Sequence, residues 1–282
     1  MPAPPPDIPP FALSQTVAAQ HAEDVDALAD ALRKCGAGDR GFSAKTSHIL
    51  AATPNELAER VEALRAATSV PFDAGPVEVL TVWTPARVAE AEHRLGSADG
   101  GTGAFAVVRL RIVPRRSGEG NLFESEFAGP PEIDAFNAAV ARGVARIWAD
   151  GIDGAGQIVD TRVVFIDGAF HASRSSPAGF EKAAVVAMEA ACRAAAMRRL
   201  DPLVEIEILA ERDHVRPIVD DLTASGGSEI RRQLAAKGVV IVAELPMRAF
   251  LVYEARLASL TGRRGKLTGA PRLARFAEVR RG

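Results

Sequence analysis

A chain of 282 residues, 48% hydrophobic and 25% charged with a net charge of −2, has a globular composition and room for two or three small domains; it excludes a protein that holds nucleic acid by bulk positive charge. Positive charge gathers toward the C-terminus: residues 201–282 carry 14 Lys+Arg against 11 Asp+Glu, whereas the residues before them lean acidic. Two cysteines in neither metal nor redox spacing point to a reducing compartment, and no run of about eighteen apolar residues suggests a membrane span.

The opening MPAPPPDIPP lacks the basic start and apolar core of a signal peptide, and residues 1–9 read as a stiff, extended proline leader. The cytoplasm is the simplest address. In DVDALADALRKCGA, Val25, Leu28, Ala29 and Leu32 recur at helical spacing, and Gly36 and Gly38 stop the helix. GFSAKTSHILAA is strand-like with a break. TPNELAERVEALRAA then opens a second helix, with Thr53 as cap, Pro54 as first helical residue and Glu56 completing a capping box. These elements make one α+β unit over residues 10–72.

Strands are expected in GPVEVLTVWTPARVAEAEHRL and GAFAVVRLRIVPR, flanking the glycine-rich loop GSADGGTG. PPEIDAFNAAVARGVARIWADG reads as a helix with Pro131 at its start and an apolar face of Ile133, Phe136, Val140, Val144 and Ile147. In the next stretch, Asp167-Gly168 suits a type I′ turn, with a short strand returning through Phe170 and His171. Burying Phe170 would leave His171 facing out, as a solvated strand residue or a contact residue. Ser175 and Ser176 precede a small-residue helix; with no base nearby they read as a cap rather than a nucleophile, Ser176 capping and Pro177 at the first position.

Past Asp201-Pro202 the order is strand, helix, strand, strand, helix, strand, the split βαβ order. Joints are expected near Phe72–Gly75 and Leu200–Pro202, giving domains at 10–72, 73–201 and 202–282.

Little in the sequence points to chemistry. The five histidines show no metal spacing, and no Gly-x-Ser-x-Gly elbow occurs. TGRRGKLTG has only two residues between Gly262 and Gly265, and Leu267 follows Lys266, so the phosphate-loop pattern fails. Catalytic residues, cofactors and metals are therefore all expected to be none. Arg263, Arg264, Lys266, Arg272 and Arg275, with Arg280 and Arg281, form either a solvated basic edge or an RNA-facing strip.

Several motifs in order resemble the C-terminal half of translation elongation factor G, its domains III, IV and V. The family's fourth domain carries a run close to V-D-V-x-V-x-x-x-D-G-x-x-H-x-V-D-S-S-x-x-A-F-x-x-A-A. Here the matching residues are Val159-Asp160-Thr161-Arg162-Val163, Asp167-Gly168, His171, Ser175-Ser176, Phe180 and Ala183-Ala184. DGGTGAFAVVRLRIVP is similar to the family's G-G-x-G-Q-Y-G-H-V loop, and LTGRRGKLTGAPRLARF to its closing segment. The resemblance implies an α+β fold: two ferredoxin-like split βαβ domains flanking a ribosomal protein S5 domain 2-like central domain. It also implies a tip that reaches RNA in the ribosomal decoding site. Its residues would be Gly100, Gly101, Gly103, Phe105, Asp167, Gly168, His171, Ser175 and Ser176.

The departures are Ala104 and Val107 in place of the family's glutamine and histidine, and Pro177 in place of an acid after the serines. The GTPase and β-barrel domains that precede this half in the family are not found in these residues, so no GTP hydrolysis is expected.

The leading expectation is a monomeric, cytoplasmic, ribosome- or RNA-associated protein of translation, with the ribosome and its RNA as partners and a separately encoded GTPase as a further one. No membrane partner is expected. A protein–protein interaction module that keeps the fold but has left the ribosome is the alternative, and an unrelated small-molecule enzyme finds no support.

Overall fold

The computed structural model describes residues 11–96, 104–128, 132–154 and 156–279. The first sheet is built from β1 (Leu13–Ala19), α1 (Val25–Gly36), β2 (Phe42–Ser43), β3 (His48–Ala51), α2 (Pro54–Ala67) and β4 (Phe72–Val79), with strand order β2-β3-β1-β4. Thr53 caps α2 by accepting the Glu56 amide at 3.3 Å. The Glu56 carboxylate takes the Ala52 amide (2.7 Å), one residue ahead of the usual capping-box position. In α1 the buried face is Leu28, Ala31 and Leu32, while Val25 is exposed. β4 lies across the expected joint at 72/73 and pairs along β1, from Leu13↔Val79 to Ala19↔Phe72.

Arg60 on α2 ties this sheet's loops together. Its guanidinium makes two bonds to Asp39 (2.7 and 2.8 Å), an ion pair to Glu56 (2.8 Å) and a hydrogen bond to the Leu50 carbonyl. The Arg60 bonds hold the Asp39 carboxyl below the usual carboxylate range, against a smaller opposing cost of burial.

The chain then turns into a second sheet. β5 (Val82–Pro85) is followed by β6 (Ala89–Leu95), β7 (Ala106–Pro114), β8 (Leu122–Ser125), α3 (Glu132–Asp150), β9 (Thr161–Ala169) and α4 (Pro177–Ala194). The sheet order is β6-β7-β9-β8, with β8 parallel to β9 and the other pairs antiparallel. On β7, Ala106, Val108, Leu110 and Ile112 are buried and join a core with Ile133, Phe136, Val140, Val144 and Ile147 of α3 and Phe180, Ala184 and Met188 of α4. Alternation puts Arg109 and Arg111 on the other face. The two helices approach closely at Gly143, where a Cβ would come 2.7 Å from the Glu181 carbonyl oxygen. Pro131, expected to start α3, lies outside the described residues.

The expected hairpin at Asp167-Gly168 is a correction. β9 runs straight through both residues, with Asp167 opposite Arg109 and Gly168 opposite Val108. Ile166 is the extra residue of a bulge between the Arg109 and Leu110 positions. The pairing partner is β7, already in place, so the chain has no need to fold back. Gly168 is used for space: a Cβ there would come 2.8 Å from the Val107 carbonyl and 2.9 Å from the Phe165 ring. The reversal comes later, at residues 172–174.

The last segment gives β10 (Met197–Ala210), α5 (Val215–Ala224), β11 (Ser228–Ala235), β12 (Gly238–Pro246), α6 (Met247–Thr261), β13 (Lys266–Leu267) and β14 (Arg272–Ala277). β10 sits at the centre, between β12 on one side and β13 and β14 on the other. Contacts divide the chain into two units: Thr81–Leu200, and the flanking segments Pro9–Leu80 and Asp201–Gly282 together. The second unit shares one buried cluster that includes Leu13, Ile49 and Leu64 with Ile208, Ile241 and Tyr253.

Candidate functional site

One end of the β6-β7-β9-β8 sheet gathers four chain features. β6 finishes there and β7 begins, with Leu95 opposite Ala106; β9 finishes there, with Ala169 opposite Val107. The first turn of α4 is adjacent, since a Cβ on Gly179 would touch Leu95 and Ala106 at 3.7 and 4.0 Å. Gly100, Gly101 and Gly103 lie outside the described residues. The residues bounding that segment meet here: a Cβ on Gly96 would come 2.1 Å from the Ala104 carbonyl oxygen.

The turn after β9 is bracketed by Ser175. Its hydroxyl donates to the Phe105 carbonyl at 2.6 Å and accepts the His171 amide at 2.8 Å. The Arg174 and Ser175 amides both donate to the His171 carbonyl, at 3.1 and 2.9 Å, and the Phe105 amide donates to the Arg174 carbonyl at 3.2 Å. Ser176 caps α4 by accepting the Gly179 amide at 3.2 Å, with Pro177 at the first helical position. Both serine hydroxyls therefore serve the scaffold. Phe105 does too: it is 5% exposed, with the Arg94 and Arg174 guanidiniums over its ring.

His171 and Asp167 are exposed. The Asp167 carboxylate accepts its neighbour's Gly168 amide at 2.8 Å. His171 Nδ1 accepts the Ser173 amide at 3.3 Å, so the neutral ring carries its proton on the other nitrogen, Nε2. Phe170 packs against Phe136 with centroids 5.7 Å apart, which is why its neighbour faces out.

Asp160, the acid of the quoted run, lies at the opposite end of β9. It is buried at φ 53°, a left-handed conformation that Asp tolerates, and its carboxylate accepts the Gly118 and Gly120 amides at 3.1 and 2.9 Å. Its role is to close the loop after β7. The sequence signal is an acid directly before a strand; the partners, forty residues away, are invisible to it.

The basic residues near the C-terminus do not form one free strip. Arg272 pairs with Glu205, Arg275 with Glu244 at 2.8 Å and Arg264 with Glu211 at 3.5 Å. Glu205 and Glu244 are direct cross-strand neighbours, so the arginines neutralise two carboxylates that would otherwise repel. Lys266 is exposed on β13, and Arg263 follows the left-handed Gly262 that ends α6. Arg280 and Arg281 lie outside the described residues.

Among the described residues no group of three or more His, Cys, Asp or Glu could hold a metal, and no helix is long and apolar enough to cross a membrane. Burial pushes the Cys192 thiol up to about 12, so it holds its proton at neutral pH.

Residues 84–196 match the family described as elongation factor G, domain IV. The chain is 30% identical over 208 residues to elongation factor G of Cereibacter sphaeroides, covering 74% of this chain and 30% of that protein. It is 25% identical over 271 residues to an elongation factor G-like protein of Thermotoga maritima, covering 94% of this chain and 40% of that one. A crystal structure of a Thermus thermophilus protein has the same fold, with a TM-score of 0.70 at 24% identity over 98% of this chain and 41% of that one. The chain thus spans roughly a third of the length of the curated relatives it matches. It is similar to the C-terminal part of elongation factor G, with residues 84–196 matching that factor's domain IV.

Proposed function

We propose that this chain is a translation-associated protein that engages the ribosome, or RNA at its surface, through the end of the Thr81–Leu200 unit that carries His171. The observation behind the reading is the convergence of three strand ends and the α4 N-terminus within the stretch that matches domain IV, which leaves an exposed histidine at a braced turn. On the same reading the central unit is ribosomal protein S5 domain 2-like, and the two flanking β-α-β-β-α-β sheets are ferredoxin-like and correspond to domains III and V. Nucleotide hydrolysis is not assigned to these residues; a separate GTPase would supply it, and the chain acts as a cytoplasmic monomer.

The test is co-sedimentation of the full chain with ribosomes at moderate salt, with and without an added translational GTPase. Protein in the ribosomal pellet is the expected result, and protein left free in every fraction overturns the reading. The second reading, a protein–protein module that has left the ribosome, draws support from the apolar residues Ala104 and Val107 and from the ion-paired outer face of the sheet. It predicts partners with no ribosomal component.

A further inference from the structure

β10 runs unbroken from Met197 to Ala210, but the strand along one of its sides comes in two pieces. β13 pairs at Ile208 and Leu209, and β14 pairs from Glu205 back to Asp201. Residues 268–271, Thr-Gly-Ala-Pro, lie between the two pieces. The Thr268 amide still donates to the Glu207 carbonyl at 2.8 Å, after which Gly269 takes φ 79° and Pro271 has no amide to return to the ladder. The break opens a niche of about 20 Å³, lined by Ile206, Glu207, Phe250, Leu267, Gly269 and Pro271. That is room for about one water-sized group.

Most of the lining is apolar, and its charged residue is Glu207, which is exposed. A Cβ on Gly269 would stand 3.6 Å from Glu207 Oε2, so the carboxylate lies beside a residue that puts no side chain over it. Neighbouring acids of this sheet are occupied. Glu205 is held by Arg272 and, at 3.2 Å, by Arg231, and Glu244 is held by Arg275 at 2.8 Å. Glu207 follows Glu205 on the same side of β10, yet it has no ion-pair partner among the described residues.

We propose that this niche receives the side chain of a lysine presented by another protein. The ammonium donates to the Glu207 carboxylate, and the last methylenes lie against Ile206, Phe250, Leu267 and Pro271. The lining selects that chemistry. An acid would meet the Glu207 charge, and a water would lack the roughly two to four polar partners that hold one in place. A guanidinium is planar and larger than the space, whereas an ammonium is a compact head on a flexible apolar stem. So shallow a niche buries only the tip of a chain, so a protein surface must bring the lysine to it. The site belongs to the unit of the flanking segments, not to the one that carries His171, and does not depend on the ribosomal reading.

The test titrates the isotope-labelled full chain with capped peptides Gly-Gly-X-Gly-Gly, X being lysine, arginine or norleucine, and with n-butylammonium as the free amine. The readout is the amide shifts of Leu267, Thr268 and Gly269 and the methyl shifts of Ile206, at fixed pH and ionic strength. The lysine peptide should saturate these shifts in the millimolar range, and the arginine and norleucine peptides should bind more weakly. Glu207→Gln should weaken the lysine peptide about two- to fivefold, the worth of one solvent-exposed ion pair. Glu59→Gln, which removes an exposed carboxylate on α2, should leave its affinity unchanged. No shift with the lysine peptide, an unchanged affinity in Glu207→Gln, or an equal affinity for arginine or norleucine would each overturn the proposal. Binding of n-butylammonium but not of the lysine peptide would make the niche a site for free amines and overturn the protein contact. Circular dichroism and a thermal melt check the fold of both variants. Should Glu207→Gln not fold, wild type gives the same charge dependence, as a loss of lysine-peptide affinity with rising salt that the norleucine peptide does not show.

Discussion

At the scale of single residues, the Thr53 and Ser176 hydroxyls each cap a helix, and the Ser175 hydroxyl braces the turn after β9 against the Phe105 carbonyl. Thr53 and Ser176 announce themselves because each stands next to a proline at the start of an apolar run, and the bonds that they make are local. Ser175 looked like half of the same signal, yet its partner is the Phe105 carbonyl seventy residues away. Replacing Ser175 with Ala removes two hydrogen bonds and leaves a carbonyl and an amide unmatched, at a cost of about 1–2 kcal/mol, read as a lower unfolding midpoint in urea. The same variant should exchange its His171 amide faster. Asp39 gives a prediction in pH. Its folded carboxyl titrates below the unfolded value of about 3.9, so its contribution is fully present above that pH and fades as pH falls through the lower folded value. Asp39→Asn should melt earlier than wild type at about pH 7, with the gap closing as the pH falls below the ordinary carboxylate value of about 3.9. Part of the carboxylate is wet, which keeps the effect on the order of 1 kcal/mol.

At the scale of elements, periodicity carried the helices well. All five apolar positions expected on the face of α3 are buried. Strands were harder, because their partners are distant and short apolar runs have no unique period. The stretch between residues 72 and 96 holds three strands, β8 carries the mixed sequence LFES, and Asp167-Gly168 stays extended because long-range pairing with β7 outweighs local turn preference. The contact between α3 and α4 shows a similar override. Gly143 is a poor helix former by about 1 kcal/mol against Ala, yet a methyl there would meet the Glu181 carbonyl and come 2.9 Å from the Ala184 Cβ. Gly143→Ala should therefore destabilise, by roughly 1–3 kcal/mol through overpacking, with the sign opposite to helix propensity. Thermal melts of the two proteins decide it; a stabilised variant would mean that the helices can part at no cost.

At the scale of the molecule, the joint expected near Leu200–Pro202 lies where the two units part, between Leu200 and Asp201, whereas the pairing that closes the first unit joins residues more than a hundred apart and leaves no local signal: Val82 lies opposite Leu200, and Pro85 opposite Met197. The unit that these strands close has a core drawn entirely from its own residues. A fragment of residues 81–200 should accordingly unfold in urea in one sharp transition with native-like circular dichroism; a broad, gradual loss of signal would contradict an independent core. The closing of that unit also bears on how such proteins can change. A segment that departs and rejoins through two facing residues can be shortened, exchanged or removed at the entropic cost of a small loop. The inserted unit and the unit that it interrupts are thus free to diverge at separate rates, and a lineage could refit the one while the other stays as it was.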